Sequence, residues 1–159
     1  MVDIVNPKKR SQMMAGIKGK NSRPEMLVRK MLFAMGYRFR LHRHDLPGTP
    51  DIILPGRRIA IFVHGCFWHV HKECKYARIP STRSEFWTAK LQRNIDRDQR
   101  AIEDLIRMGW RVLSIWECST RSLAVASLLP QALHQWITGS ESFGEISGPS
   151  LALGQLPHQ

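Results

Sequence analysis

The residues best suited to chemistry fall into two groups. The first gathers all three cysteines of the chain: Cys66, His71 and Cys74 form C-x4-H-x2-C, and Cys118 stands alone downstream. Thiolate and imidazole ligands at short spacing, completed by a distant fourth, suit a tetrahedral zinc ion. Four protein ligands leave no open position, so such a zinc is structural and pins an irregular segment in place. Two rivals stand beside that reading: three unrelated buried thiols, or a catalytic zinc held by some of His64, His69 and His71. An odd cysteine count in a chain with no sign of secretion argues against a disulfide scaffold. His69 sits between the ligands. It is free to act as a general base near neutral pH, to serve as an alternative ligand, or simply to lie on the surface.

The second group is carboxylates. Asp51 follows Pro50 and opens a short strand. There it could hold Mg²⁺ with help from a backbone carbonyl of the next strand, or cap a turn. Glu25 stands three residues after Ser22, a capping-box spacing. It is also the only acid among eleven Lys and Arg residues between Lys8 and Arg43. Asn94 and Asp98 are four apart and share a helix face, which by itself reads as solvated surface.

The elements that must position these groups follow from pattern. A first helix is expected over residues 11–18, with Met13, Met14 and Ile17 apolar, ended by Gly19. A second starts at Ser22 and Pro24, repeats Leu27, Met31, Leu32 and Met35, and closes at Gly36. Residues 37–42 alternate like a half-buried strand. A turn cluster, Leu46-Pro-Gly-Thr-Pro50, leads into a strand from Asp51 to Leu54. Pro55-Gly56 leads into another from Arg57 to His64, whose run Ile59–Val63 reads as central. Residues 64–80 are irregular. A long helix follows over 84–108, then a strand over 111–116, then a helix over 123–137 interrupted near Pro130. The order α, α, β, β, β, α, β, α predicts an α/β fold, a mixed sheet flanked by helices.

The chain has 159 residues and a net charge of +11, with 24 Lys and Arg against 13 Asp and Glu. That excludes an acidic regulator and points to a polyanionic partner, with a basic enzyme unrelated to nucleic acid as the alternative. No apolar run reaches a membrane span, and no apolar segment follows Lys8-Lys9-Arg10 to make a signal peptide. Residues 139–159 carry no Lys or Arg, are rich in Gly, Ser and Pro, and are expected to form a flexible tail. Residues 1–138 are expected to form one domain.

At Phe62-Val-His-Gly-Cys-Phe-Trp-His-Val-His71 the sequence resembles the very-short-patch mismatch-repair endonucleases, the Vsr family. The likeness extends through Arg10-Ser11, Met14, Glu25 and Leu-Pro-Gly-x-Pro-Asp51. It continues through Pro80-x-Thr-Arg83, Glu85-Phe-Trp87, Asn94, Arg97-Asp98, Gly109-Trp-Arg-Val-Leu and Trp116-Glu-Cys118. The resemblance implies a restriction-endonuclease-like fold with structural Zn²⁺. It further implies a Mg²⁺-dependent enzyme that nicks one strand of double-stranded DNA 5′ to the thymine of a T:G mismatch, such as deamination of 5-methylcytosine leaves. Carried onto this chain, Asp51 and the main chain at Val63 hold Mg²⁺, His69 is the base, and His64 and Glu25 support the site. Cys66, His71, Cys74 and Cys118 hold zinc. Phe67, Trp68 and Trp87 wedge beside the mismatch; Met14, in an arm over residues 1–21, reaches DNA from the other groove; Lys18, Lys20 and Asn94 also contact DNA. Also implied are a monomer, mismatch-repair proteins as partners and a location in the bacterial cytoplasm at the nucleoid.

Two departures stand out. Val63 replaces an expected Thr, and the segment before Cys74 is one residue longer than the family spacing. Most nucleases of this fold use two acids and a lysine; the apolar residue at 63 removes one acid, and a histidine base would compensate. A non-cleaving, zinc-stabilised mismatch-binding protein and an ordinary restriction-type nuclease are the competing functions.

Overall fold

A computed structural model describes residues 20–152 of the chain. The helix expected over 11–18, with Met14 and Lys18, lies outside the described residues. The elements are α1 (Arg23–Ala34), β1 (Arg40–Leu41), β2 (Ile52–Leu54), β3 (Ile59–His64), α2 (Ser84–Arg107), β4 (Arg111–Trp116), α3 (Leu123–Ala126), α4 (Leu129–Thr138), β5 (Phe143–Ile146) and α5 (Gly148–Ala152). The strands form one sheet in the order β1-β2-β3-β4-β5. The β1–β2 and β2–β3 pairs are antiparallel, and β3–β4 and β4–β5 are parallel. Each parallel pair is bridged by helix, as parallel connections require.

Alternation in the strands assigns two faces. Ile52, Leu54, Ile59, Ile61, Leu113 and Ile115 pack with Val28 and Leu32 of α1 and with Leu129, Leu133 and Trp136 of α4. Ile53, Ala60, Phe62 and Val112 point the other way, against Ala101 and Leu105 of α2. The sheet is therefore covered on both sides, which is why β3 reads as a continuous apolar run.

Two expectations need correction. The strand expected over 37–42 is only Arg40–Leu41, because it pairs at one edge with the three-residue β2. The helix expected over 123–137 is interrupted near Pro130 as the sequence suggests: α3 ends before it, and Pro130 sits in the first turn of α4. The tail expected from Gly139 instead supplies β5 and α5, with Ile146 and Leu151 in the core. Its polar composition hid short strand pairing: β5 joins β4 in register from Val112–Phe143 to Ile115–Ile146.

Candidate active site and metal centre

Asp51 is delivered by the turn cluster before β2. Gly48 has φ +73°, and a Cβ there would come within 2.6 Å of the Ala101 Cβ on α2. Only glycine lets the turn lie this close to the helix while taking a left-handed conformation. The turn brings Asp51 to the mouth of β3, where the Val63 N–H donates to its Oδ2 at 2.8 Å. Burial pushes the Asp51 carboxyl up to about 6, against the Val63 hydrogen bond and nearby Arg29, which pull it down. The Val63 side chain packs against the apolar core, so a hydroxyl at that position is not what faces Asp51.

An open cleft of about 640 Å³ collects Asp51, Val63, His64, His69, Arg97 and Asp98, with Lys20, His42 and His44 at its sides. His69 Nδ1 lies 2.5 Å from Asp98 Oδ2 on α2. In the tautomer that donates to Asp98, Nδ1 carries the proton and Nε2 does not. The His69 ring stacks on His64 at 4.0 Å between centroids and 7° between planes. His64 is 5% exposed, and burial together with His69 drives its pKa well down, so this ring is neutral. Asn94, one turn before Asp98, donates to the Trp68 carbonyl at 2.9 Å and accepts from Arg97 at 2.9 Å. It braces the His69 loop on α2.

Glu25 is 2% exposed. Ser22 Oγ accepts from its N–H, as a cap should, but the Glu25 carboxylate turns inward to His42 Nε2 at 3.1 Å and to Arg29. Burial, then Arg29 and Lys20, lower the His42 pKa.

Cys66, His71, Cys74 and Cys118 come together, with one ligand atom from each within 4.8 Å of the others. His71 Nδ1 lies 3.6 Å from Cys66 Sγ and 3.5 Å from Cys118 Sγ. For a tetrahedral ion with arms of about 2.0–2.3 Å, ligand atoms stand about 3.6 Å apart, so the donor set fits such an ion. Hydrogen bonds with Cys66 and His71 hold the Cys118 thiol below the usual thiol range, despite burial. The Gly148 N–H donates to Cys118 Sγ at 3.2 Å, and a Cβ on Gly148 would meet the Cys118 carbonyl at 2.8 Å. The segment expected to be a tail thus closes the cluster. Val70 and Glu73, in the loop that carries His71 and Cys74, take left-handed backbone at φ +50° and +60°.

Phe67 and Trp68 are half-buried, and Trp87 is 6% exposed beneath them. Phe67 meets Trp68 and Trp87 edge-on at 5.0 and 5.4 Å, and Lys90 lies over Trp68 at 5.6 Å. Trp87 forms a floor beneath the other two rings in this arrangement. Spacing alone missed Asp98, Arg29 and His42. Asp98 looked like solvated helix surface, and the i,i+4 step from Glu25 to Arg29 was the one available signal for that pair.

The raised Asp51 carboxyl has a consequence for stability. Its folded pKa lies above that of an unfolded aspartate, so the folded state is stabilised by protonation. That contribution is present below about pH 4 and is lost as pH rises through about 6. In Mg²⁺-free buffer with the cysteine cluster's metal retained, Asp51→Asn is expected to raise stability at pH 7.5 by at most about 3 kcal/mol and far less at pH 4.5. Denaturant melts at the two pH values check this; equal gains at both would show that the carboxyl is not destabilised by burial.

Among the described residues, no helix is long and apolar enough to cross a membrane. Residues 2–76 match the family model described as DNA mismatch endonuclease Vsr. The chain is 48% identical over 123 residues to the type II nicking enzyme V.XorIIP of Xanthomonas oryzae pv. oryzae, covering 77% of this chain and 90% of that protein. It is 36% identical over 155 residues to the DNA mismatch endonuclease Vsr of Escherichia coli (strain K12), covering 96% and 99%. The type II nicking enzyme V.NmeAIP of Neisseria meningitidis is 38% identical over 125 residues, covering 79% and 89%.

Proposed function

The chain belongs to the DNA mismatch endonuclease Vsr family, and on that premise we propose that it nicks one strand of duplex DNA 5′ to the thymine of a T:G mismatch. The observation that carries the reading is one cleft holding a carboxylate, Asp51, and a carboxylate-oriented imidazole, His69–Asp98. The five-stranded mixed sheet with helices on both faces is taken as a restriction-endonuclease-like fold, formed by a single domain.

Phosphodiester hydrolysis needs an activated water, relief of charge on the phosphoryl oxygens and a protonated leaving group. Asp51 and the Val63 carbonyl offer hard oxygen ligands suited to Mg²⁺, which when bound supplies charge relief at the phosphoryl group. His69 Nε2 takes the proton of the attacking water, while Asp98 holds Nδ1 and stabilises the ring as it becomes charged. His64, neutral and stacked, fixes the plane of His69. Glu25 supports Asp51 through Arg29. Lys20 and Arg97, at the cleft wall, neutralise phosphates, and Lys18 is a further phosphate contact. Met14 enters from the N-terminal arm, and Asn94 sets the aromatic loop against the DNA.

Phe67 and Trp68 select the mismatch. Stacking a base on an aromatic ring contributes about 1–3 kcal/mol, and opening a step is cheapest where a base is mismatched. Trp68→Ala should therefore weaken a T:G duplex by about 1–3 kcal/mol and a T:A duplex much less. Paired binding titrations measure this, and equal losses would make Trp68 a packing residue. The reading as a whole is tested with strand-labelled T:G and T:A duplexes and Mg²⁺. A nick confined to the T strand of T:G is expected. Binding without cleavage would favour a mismatch-binding protein, and cleavage of T:A an ordinary nuclease.

Zinc is the ion proposed for Cys66, His71, Cys74 and Cys118, at about one per chain. Because binding energy at a structural site is folding energy, Cys118→Ser should lower zinc content and melting temperature together. Folded, active protein without zinc by elemental analysis would refute this assignment.

A further inference from the structure

A second cluster borders Asp51. One carboxylate oxygen each from Glu25 and Asp51 and a ring nitrogen of His42 lie within 4.8 Å of one another. Two carboxylates and an imidazole at that spacing are a donor set for a divalent cation, and two buried like charges would favour taking one up. A cation is already there. Arg29, one turn after Glu25, pairs with the Glu25 carboxylate and lies 3.3 Å from His42 Nε2. Asn21 Oδ1 accepts from the same Nη2 at 2.6 Å, holding the guanidinium in the cluster.

We infer that Arg29 is a built-in cation of the Glu25–His42–Asp51 cluster, a positioning residue that keeps Glu25 out of the metal's coordination shell and leaves Asp51 as the carboxylate available to a single divalent ion. The inference rests on the proposed role of Asp51 as a metal ligand. A guanidinium cannot lose its charge in a protein and holds a carboxylate through a rigid fork. Being tethered one helical turn from Glu25, it competes with any free ion at a high effective concentration. Neutralising Glu25 in this way also limits the field at Asp51 to about one net negative charge.

Mn²⁺ is the probe, titrated into the full-length, zinc-loaded chain without DNA, with free Mn²⁺ followed by its paramagnetic resonance signal. The natural chain should bind a single Mn²⁺, and Asp51→Asn should lose it. Arg29→Met should gain a second Mn²⁺ or bind the first at least about tenfold more tightly, because two carboxylates now face the ion. That gain should vanish in Arg29→Met/Glu25→Gln, and Arg29→Lys should behave as the natural chain. Folded Arg29→Met that binds Mn²⁺ like the natural chain overturns the inference. The natural chain itself supplies a test that needs no Arg29 variant: two bound Mn²⁺ ions, one lost in Glu25→Gln, would show that Arg29 does not exclude the ion. Unchanged binding in Asp51→Asn would remove the metal assignment beneath the inference, and the inference with it.

Discussion

Asp51→Ala is expected to slow nicking of a T:G duplex by about 10³-fold or more while changing duplex affinity by less than about threefold. The loss follows from the position of the carboxylate. It is the acid at the mouth of β3, its Oδ2 held by the Val63 N–H, and the proposed metal ligand. Metal charge relief is worth several kcal/mol at a phosphoryl group, and each 1.36 kcal/mol is tenfold in rate. Affinity should survive because it comes from elsewhere, from a chain with a net charge of +11 and basic residues around the cleft. Such binding is governed by phosphate contacts and their salt dependence. The measurements are single-turnover nicking and a binding titration on the same duplex. Nicking at the natural rate would reduce Asp51 to a turn residue. Equal collapse of both quantities would mean that the turn, and not the chemistry, was lost.

The split between what could be read from the sequence and what could not follows the range of each interaction. The cysteine–histidine cluster was legible because three ligands lie within nine residues, Cys66 to Cys74, and the fourth follows a strong strand. Helix α2 was legible from 24 residues of amphipathic pattern, and β3 and β4 from buried apolar runs. Residues 143–152 were misread because β5 is four residues long and contains Gly144 and Glu145; β5 is held by pairing with β4 and α5 by the approach of Gly148 to Cys118, neither of which leaves a local signal. Glu25 shows the same limit. Its spacing from Ser22 announced a cap, and the cap bond forms. Its carboxylate faces inward only because β1 brings His42 against α1, a contact seventeen residues away in the chain. Asp98 looked like solvated helix because its partner, His69, comes from a loop with no periodicity of its own.

That last pairing supports the second large effect. His69→Ala is expected to reduce nicking by about 10²–10⁴-fold, the usual contribution of a general base. Asp98→Ala should cost less, about 10–100-fold, because His69 keeps its place on the His64 ring but loses the group that fixes its proton on Nδ1. The discriminating measurement is the double variant. If Asp98 acts through His69, then His69→Ala/Asp98→Ala is no slower than His69→Ala alone, since the second change removes a partner from a group that is already gone. The same three side chains, His64, His69 and Asp98, also have ligand atoms within 4.8 Å of one another. Were they to hold a catalytic ion instead, Asp98→Ala would cost further activity in the His69→Ala background, and raising the Mg²⁺ concentration would restore part of it. A base–carboxylate dyad predicts neither, so a further tenfold loss in the double variant would transfer Asp98 from orienting a histidine to binding a metal.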